Sequence, residues 1–389
     1  MSLRILIAPS GLKESVEPLD AVRLIKSGIL RVFPEAVIDG VPIVDGGEGT
    51  TKTLAELTNG TLIETTVTGP VGDAVDSYIG ILGTDPETAV IEMAAAAGLK
   101  LVPRDKRDPQ RTTTYGVGEL ISLVLDHGAK KILFGCGDSG TNDAGIGMAQ
   151  ALGVKFLDDN NADLGFGGVE LPKLHRIDMF GLDPRLADVQ IDAALNAKNI
   201  LCGPNGVARV YGPQKGATPE QVEQMAQALD HFAEVVNRDV GKDVALIDGS
   251  GASGGLGAGL YAFLGANLHA RFDIIMQYLG LEELLPEADL IITAEGGIDF
   301  QTPQGKVPAL LAERAREYNI PVVVLAGMLG KGVNDNYDAG ISAFESIQTG
   351  PISLENAIEK GPFLLEDAAE RLMRVIKVGM QLDLTGGHI

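Results

Sequence analysis

The sequence predicts an α/β protein of two domains: a Rossmann- or flavodoxin-like parallel-sheet domain built from both chain ends, with a mixed α/β domain inserted between them. Three observations predict it. At both ends of the chain short apolar runs alternate with amphipathic stretches, the pattern of βαβ units on a parallel sheet. Residues 61–68, 76–82 and 88–93 are instead close-spaced β-type runs parted by Gly/Pro turns, an antiparallel or mixed pattern. The 389 residues also suit two or three domains, each able to bury its own core.

Residues 5–9 read as a strand ending in a Ser-Gly turn, 18–33 as an amphipathic helix and 38–44 as a second strand. After the three β-type runs come a helix over 116–127, a strand over 131–135, a helix over 145–152 and a strand over 190–195. Residues 219–238 form a long amphipathic helix with Pro in its first turn, and 256–264 a shorter one. The last third returns to the opening theme, with strands over 288–293, 321–326 and 340–345, a helix over 306–318 and a mostly helical 354–378. The discontinuous domain is therefore expected at 1–60 and 285–389, and the inserted one at 61–284.

Hydrophobic residues make up 45% of the chain and Gly accounts for 50 positions, a composition of folded α/β enzymes. A net charge of −22 argues against nucleic acid, which is held by clustered Lys and Arg. The expected partners are small molecules, and an anionic one calls for local positive charge against the overall field. Cys136 and Cys202 offer no disulfide framework and suit a reducing cytosol. The Cys and His residues lack zinc spacing. No run approaches the ~20 apolar residues of a membrane span, and the first residues lack a leader's apolar region. A cytoplasmic, membrane-free protein is expected, with a homodimer left open.

Five segments pair Gly-rich turns with an isolated acid, amide or Lys: 44–50 (VDGGEGT), 135–145 (GCGDSGTNDAG), 212–216 (GPQKG), 249–259 (GSGASGGLGAG) and 294–306 (AEGGIDFQTPQGK). Glycine permits close approach to a ligand, and its N–H groups suit phosphate oxygens. Several such loops suggest a polyphosphate beside a small polar partner, as phosphoryl transfer requires.

Ser10 and Lys13 follow the first strand, at the edge where open parallel sheets bind ligands, and Lys13 is placed to neutralise phosphate. Asp45 and Glu48 flank Gly46 and Gly47; they read as Mg²⁺ ligands or holders of a substrate hydroxyl, or else as caps for a helix from Thr50. Ser139, Thr141, Asn142 and Asp143 share one turn and suit a polyhydroxylated ligand, although turn formation favours the same residues. Lys215 is presented from a rigid turn. Residues 249–254 match GxGxxG, which makes Gly251, Ser253, Gly254 and Gly255 a candidate phosphate cradle; close helix packing is the alternative. The poor, acid-interrupted 243–247 stretch ahead of it weakens a nicotinamide-dependent oxidoreductase reading. Glu295 and Asp299 follow the strongest strand and Lys306 opens the next helix. Asp299 is the candidate base and Lys306 offsets phosphate charge, with Asp45 and Glu295 as alternative bases or metal ligands. No Gly stands five residues before Gly305, so this is not a Walker A loop.

Taken together, 45–50 (DGGEGT), 91–99 (IEMAAAAGL), 113–120 (TTYGVGEL), Thr141-Asn142-Asp143, 212–217 (GPQKGA) and Gln301-Thr302 with Gly305-Lys306 resemble the glycerate kinase family of bacterial glycerate and glucarate pathways. The resemblance covers nearly the whole chain. It implies ATP and Mg²⁺, D-glycerate as acceptor, 2-phosphoglycerate as the usual product, and a discontinuous first domain. Departures are local. The family's APDSFK loop here has Ser10, Gly11 and Leu12 in place of Asp, Ser and Phe; GGSATNDGG gains Asp138; the Asp of ACDV is Asn196; and the Arg of EGRxD is Gly297. Losing that Arg removes a bidentate anion contact. Lys13, Lys215, Asp299 and Lys306 are retained. The departures also motivate a second reading, a relative that binds sugar acids or ATP without turnover.

Overall fold

Strands run at Arg4–Ile7 (β1), Val37–Gly40 (β2), Thr61–Thr68 (β3), Ala74–Ile81 (β4), Thr88–Glu92 (β5), Lys131–Gly135 (β6), Lys155–Leu157 (β7), Arg176–Asp178 (β8), Gln190–Leu195 (β9), Asn267–Ala270 (β10), Leu290–Glu295 (β11), Val322–Ala326 (β12) and Ala343–Ser346 (β13) in the computed structural model, which describes residues 3–382. The chain divides into two compact units. One holds the chain up to Val44 together with Ile275 onwards, and the other is Asp45–Ile274.

The first unit is built on a five-stranded sheet of order β13-β12-β11-β1-β2, parallel at every pairing. Numbered within the unit and read from β2, this is 2-1-3-4-5, the flavodoxin order rather than the Rossmann one. The central strands β11 and β12 are continuous apolar runs because helices cover both faces of such a sheet. Ile5, Ile7, Ile25, Ile292, Leu325 and Leu365 form the heart of its core. The second strand ends at Gly40 instead of continuing to 44. Val41 and Ile43 still donate to Ile7 O and Pro9 O, but Pro42 between them has no N–H and the regular ladder stops.

The second unit carries a mixed six-stranded sheet, β10-β9-β6-β5-β4-β3. Strands β3, β4 and β5 pair antiparallel, and β5, β6, β9 and β10 parallel. Its core includes Phe263 edge-on to Phe156 (5.3 Å between centroids) and Phe232 (6.2 Å). The long helix Pro219–Asp239 starts with a capping box of Thr218 and Gln221. The boundary between units falls at Val44, not at residue 60, because the helix Thr50–Leu57 belongs to the second unit: Thr51 N–H donates to Glu92 Oε2 at 2.8 Å, and Thr51 Cγ2 sits against Gly80 of β4. The return crossing lies within the helix Arg271–Tyr278, ten residues before the expected 285. Among the described residues no helix is long and apolar enough to cross a membrane.

Candidate functional site

In the 2-1-3-4-5 order the loops after β1 and β11 leave the sheet in opposite directions, and the resulting crevice at the carboxyl edge is where such sheets bind ligands. Those loops carry Ser10, Lys13, Glu295 and Asp299. The Ser10 hydroxyl donates to Glu295 Oε2 at 2.6 Å, and its N–H to Ala294 O at 3.0 Å. An Asp at position 10, as in the family pattern, would oppose one carboxylate to another; serine donates a hydrogen bond to Glu295 instead. The Lys13 backbone lies beside Gly296, and its side chain is exposed.

Asp299 is fixed by its surroundings. Its N–H donates to Thr302 Oγ1 (3.0 Å), its Oδ1 accepts from Gln301 N–H (2.9 Å), and its carbonyl accepts from the buried Asn336 amide (3.2 Å). Lys306 Nζ reaches Gly297 O at 3.3 Å and Asp299 Oδ1 at 3.5 Å. The turn itself is tied to the loop after β12: Ile298 N–H donates to Met328 O, Gly330 N–H to Ile298 O, and Phe300 N–H to Lys331 O. Cβ atoms built on Gly296 and Gly297 would have no neighbour closer than 3.5 Å and 3.6 Å, so the backbone here is open to an approaching group. Phe300 and Met328 flank the turn as exposed apolar side chains.

The second unit presents its own constellation past the carboxyl ends of β5, β6 and β9. Lys215 is buried, donating to Ser139 Oγ at 2.8 Å and Thr141 O at 2.7 Å. Burial pulls its ammonium down to about 7, opposed by the Asp143 carboxylate. Asp143 is also fully buried. Burial pushes its carboxyl above the usual range, while the N–H groups of Thr114, Gly145 and Gly147 and the Thr114 hydroxyl hold it back. Thr141 and Asn142 are buried beside it. Asn196 Oδ1 accepts from Lys198 N–H at 3.1 Å, an Asx turn leaving β9.

Several expectations need correction. Lys215 is not presented from its turn but folded inward. Asp45 and Glu48 do not cap the helix Thr50–Leu57; its N-cap is Gly49, and the acid that serves its first N–H groups is Glu92, which accepts from Gly49 N–H and Thr51 N–H and from the Tyr78 hydroxyl. Asp45 Oδ1 instead accepts from Gly47 N–H, Asp45 lies 3.7 Å from Arg271, and Glu48 pairs with Lys100. Among the described residues no group of three or more His, Cys, Asp or Glu side chains is arranged to hold a metal. Glu92 escaped the sequence reading, although a lone acid closing the otherwise apolar run of β5 was the available signal.

The GxGxxG glycines serve close packing. A Cβ on Gly249 would meet Leu195 at 2.4 Å, one on Gly251 the Ile200 carbonyl at 2.0 Å, one on Gly254 the Thr141 carbonyl at 2.0 Å, and one on Gly255 Ala144 at 2.9 Å. Among the described residues no strand leads directly into the segment, so the dinucleotide fingerprint lacks its context. A Cβ on Gly46 would likewise meet the Ala194 carbonyl at 3.2 Å, and one on Gly47 would run into the Asp138 carboxylate. Ser253, Gly254 and Gly255 run left-handed (φ 54°, 71° and 89°) inside the helix Ala252–Leu264, and Ala144 N–H bonds to Gly254 O across the contact. Gly254→Ala is therefore expected to destabilise the protein by about 2 kcal/mol or more, from left-handed strain plus a backbone clash. Urea unfolding checks this; an unchanged midpoint refutes the packing account.

A family model described as the Glycerate kinase family matches residues 5–377. The chain is 47% identical over 341 residues to a glycerate kinase of Haemophilus influenzae, spanning 88% of this chain and 90% of that one. It is 43% identical over 379 residues to the glycerate 2-kinase of Escherichia coli K12, spanning 97% and 99%. A crystal structure assigned as a glycerate kinase 2 from Salmonella typhimurium LT2 superposes with a TM-score of 0.89 at 42% identity, covering 98% of this chain and 100% of that one. This chain belongs to the glycerate kinase family.

Proposed function

We propose that the protein transfers the γ-phosphoryl group of ATP to a hydroxyl of D-glycerate, giving 2-phosphoglycerate, in the cytoplasm and with small molecules as its partners. The observation that carries the reading is the turn after β11. In a chain similar along its whole length to glycerate kinases, it gathers a fixed carboxylate, a lysine and an open Gly-Gly backbone at the switch point of a flavodoxin-order sheet. Asp299 accepts the proton of the acceptor hydroxyl as the new P–O bond forms and the bond to ADP breaks. Lys306 and Lys13 offset charge on the phosphoryl oxygens. Phe300 and Met328 offer apolar surface to the adenine.

Mg²⁺ is usually held by one or two carboxylates together with substrate phosphates rather than by an all-protein cage. Glu295 fits that role as a single carboxylate at the switch point. Asp45 and Glu48, each set against a cation, fit it poorly. When bound, the ion would neutralise phosphate charge.

Purified protein supplied with D-glycerate, ATP and Mg²⁺ is expected to release ADP, and phosphorus NMR to identify the 2-phospho isomer. Absence of ADP with glycerate, tartronate and four-carbon sugar acids alike defeats the reading. A 3-phospho product corrects only the regiochemistry.

A further inference from the structure

Among the described residues, six side chains of the second unit hold enclosed polar atoms without a hydrogen-bond partner, and Asn142, Thr141 and Arg107 are three of them. Asn142 is 1% exposed, and neither its Nδ2 nor its Oδ1 has a hydrogen-bond partner. Thr141 is fully buried with Oγ1 unpartnered. Arg107 is partly buried, its Nε is enclosed without an acceptor, and its guanidinium makes no ion pair among the described residues. Native proteins rarely leave such groups unpaired, so each asks what it meets when the protein works.

Thr141 and Asn142 adjoin the Lys215 ammonium, and the backbone of Arg107 packs on the turn that carries that lysine. Lys215 Nζ bonds to the carbonyl of Thr141, the residue before Asn142. Arg107 lies against the same turn: a Cβ on Gly216, next after Lys215, would meet the Arg107 carbonyl at 2.6 Å and its Cβ at 3.0 Å.

The donor set identifies the ligand class. Arg107 and Lys215 only donate, the first as a planar fork suited to a carboxylate. Asn142 and Thr141 both donate and accept, which matches a hydroxyl. Phosphate oxygens only accept, so a triphosphate tail would leave Asn142 Oδ1 as unsatisfied as it is now. The glycines beside these side chains pack against protein atoms, whereas Gly296 and Gly297 of the first unit are open. We propose that the second unit binds the hydroxy-acid acceptor, with Arg107 anchoring its carboxylate and Asn142 reading a hydroxyl. The proposal rests on the kinase reading above and names the part of the protein that selects the substrate.

Steady-state kinetics of the full chain test it. Arg107→Gln is expected to raise the KM for D-glycerate about 10- to 100-fold, the loss of a charge-assisted contact, with the KM for ATP unchanged. Arg107→Lys, which keeps the charge and loses the fork, is expected to fall between the two. Glycerol, which lacks the carboxylate, should be used equally poorly by wild type and Arg107→Gln. Calorimetric binding of D-glycerate without ATP to wild type and Arg107→Lys gives the same comparison where the Gln variant fails to fold. Wild-type protein that releases ADP with none of glycerate, tartronate and the four-carbon sugar acids defeats the kinase reading itself. Wild-type turnover with a shifted ATP KM, an equal shift for both substrates, or no shift overturns the anchor while leaving that reading intact.

Discussion

Lys215→Met is expected to lower kcat/KM for D-glycerate by about 10²–10³-fold, the loss typical of removing one preorganised donor from a water-excluded site. The ammonium spends two of its three N–H groups on Ser139 Oγ and Thr141 O, leaving one for an anion. Because burial holds this lysine at about 7 in the folded chain, kcat/KM of the wild type should fall as pH rises through that value and the cation is lost. Its effect on stability has the opposite sign. The unfolded lysine titrates near 10.5, so between about 7 and 10.5 the unfolded chain holds more protons than the folded one. Stability from this group therefore rises with pH across that window, and its desolvation cost is fully present below about 7. The Met variant lacks that slope. Melting curves of both proteins from pH 6 to 10 check the point: parallel profiles reject the buried-ammonium account, and an unaffected kcat/KM rejects the functional one.

Asp299→Asn is expected to lower kcat by about 10²–10⁴-fold, the usual contribution of a positioned base. Stability should hardly change. The amide oxygen can still accept from Gln301 N–H, and the pair with Lys306, at 3.5 Å and partly exposed, contributes little. The informative comparison sets this variant beside Asp45→Asn and Glu295→Gln, with kcat and Tm read for each. Near-full activity in Asp299→Asn with collapse in one of the others moves the role of base to that carboxylate.

The strands β3, β6 and β9 lie at the bounds the sequence predicts, because each is a clear apolar or alternating run between turns. Strands β7, β8 and β10 span three or four residues, too few to show a period, and pairing alone defines them. The site was legible unevenly. Asp299 and Lys306 stand seven residues apart on one turn and were readable as a pair. The inward fold of Lys215 depends on Ser139 and Thr141, more than seventy residues away, and no local pattern announces it. Arg107 sits in a run with Arg104, Asp105, Lys106 and Asp108 that reads as a solvated loop. Only three dimensions reveal that it lacks a partner.

The pairing of Ile5 with Leu290 has a consequence for biosynthesis. A ribosome adding roughly 5–20 residues per second delivers β1 and β2 long before β11, the neighbour that β1 requires. For some tens of seconds the nascent chain carries β1 and β2 without the central strands of their sheet, while the entire 45–274 segment emerges and can complete its own. Vectorial synthesis thus imposes an order, insert first and host last, and makes the early N-terminal strands the stretch most in need of a chaperone's shelter.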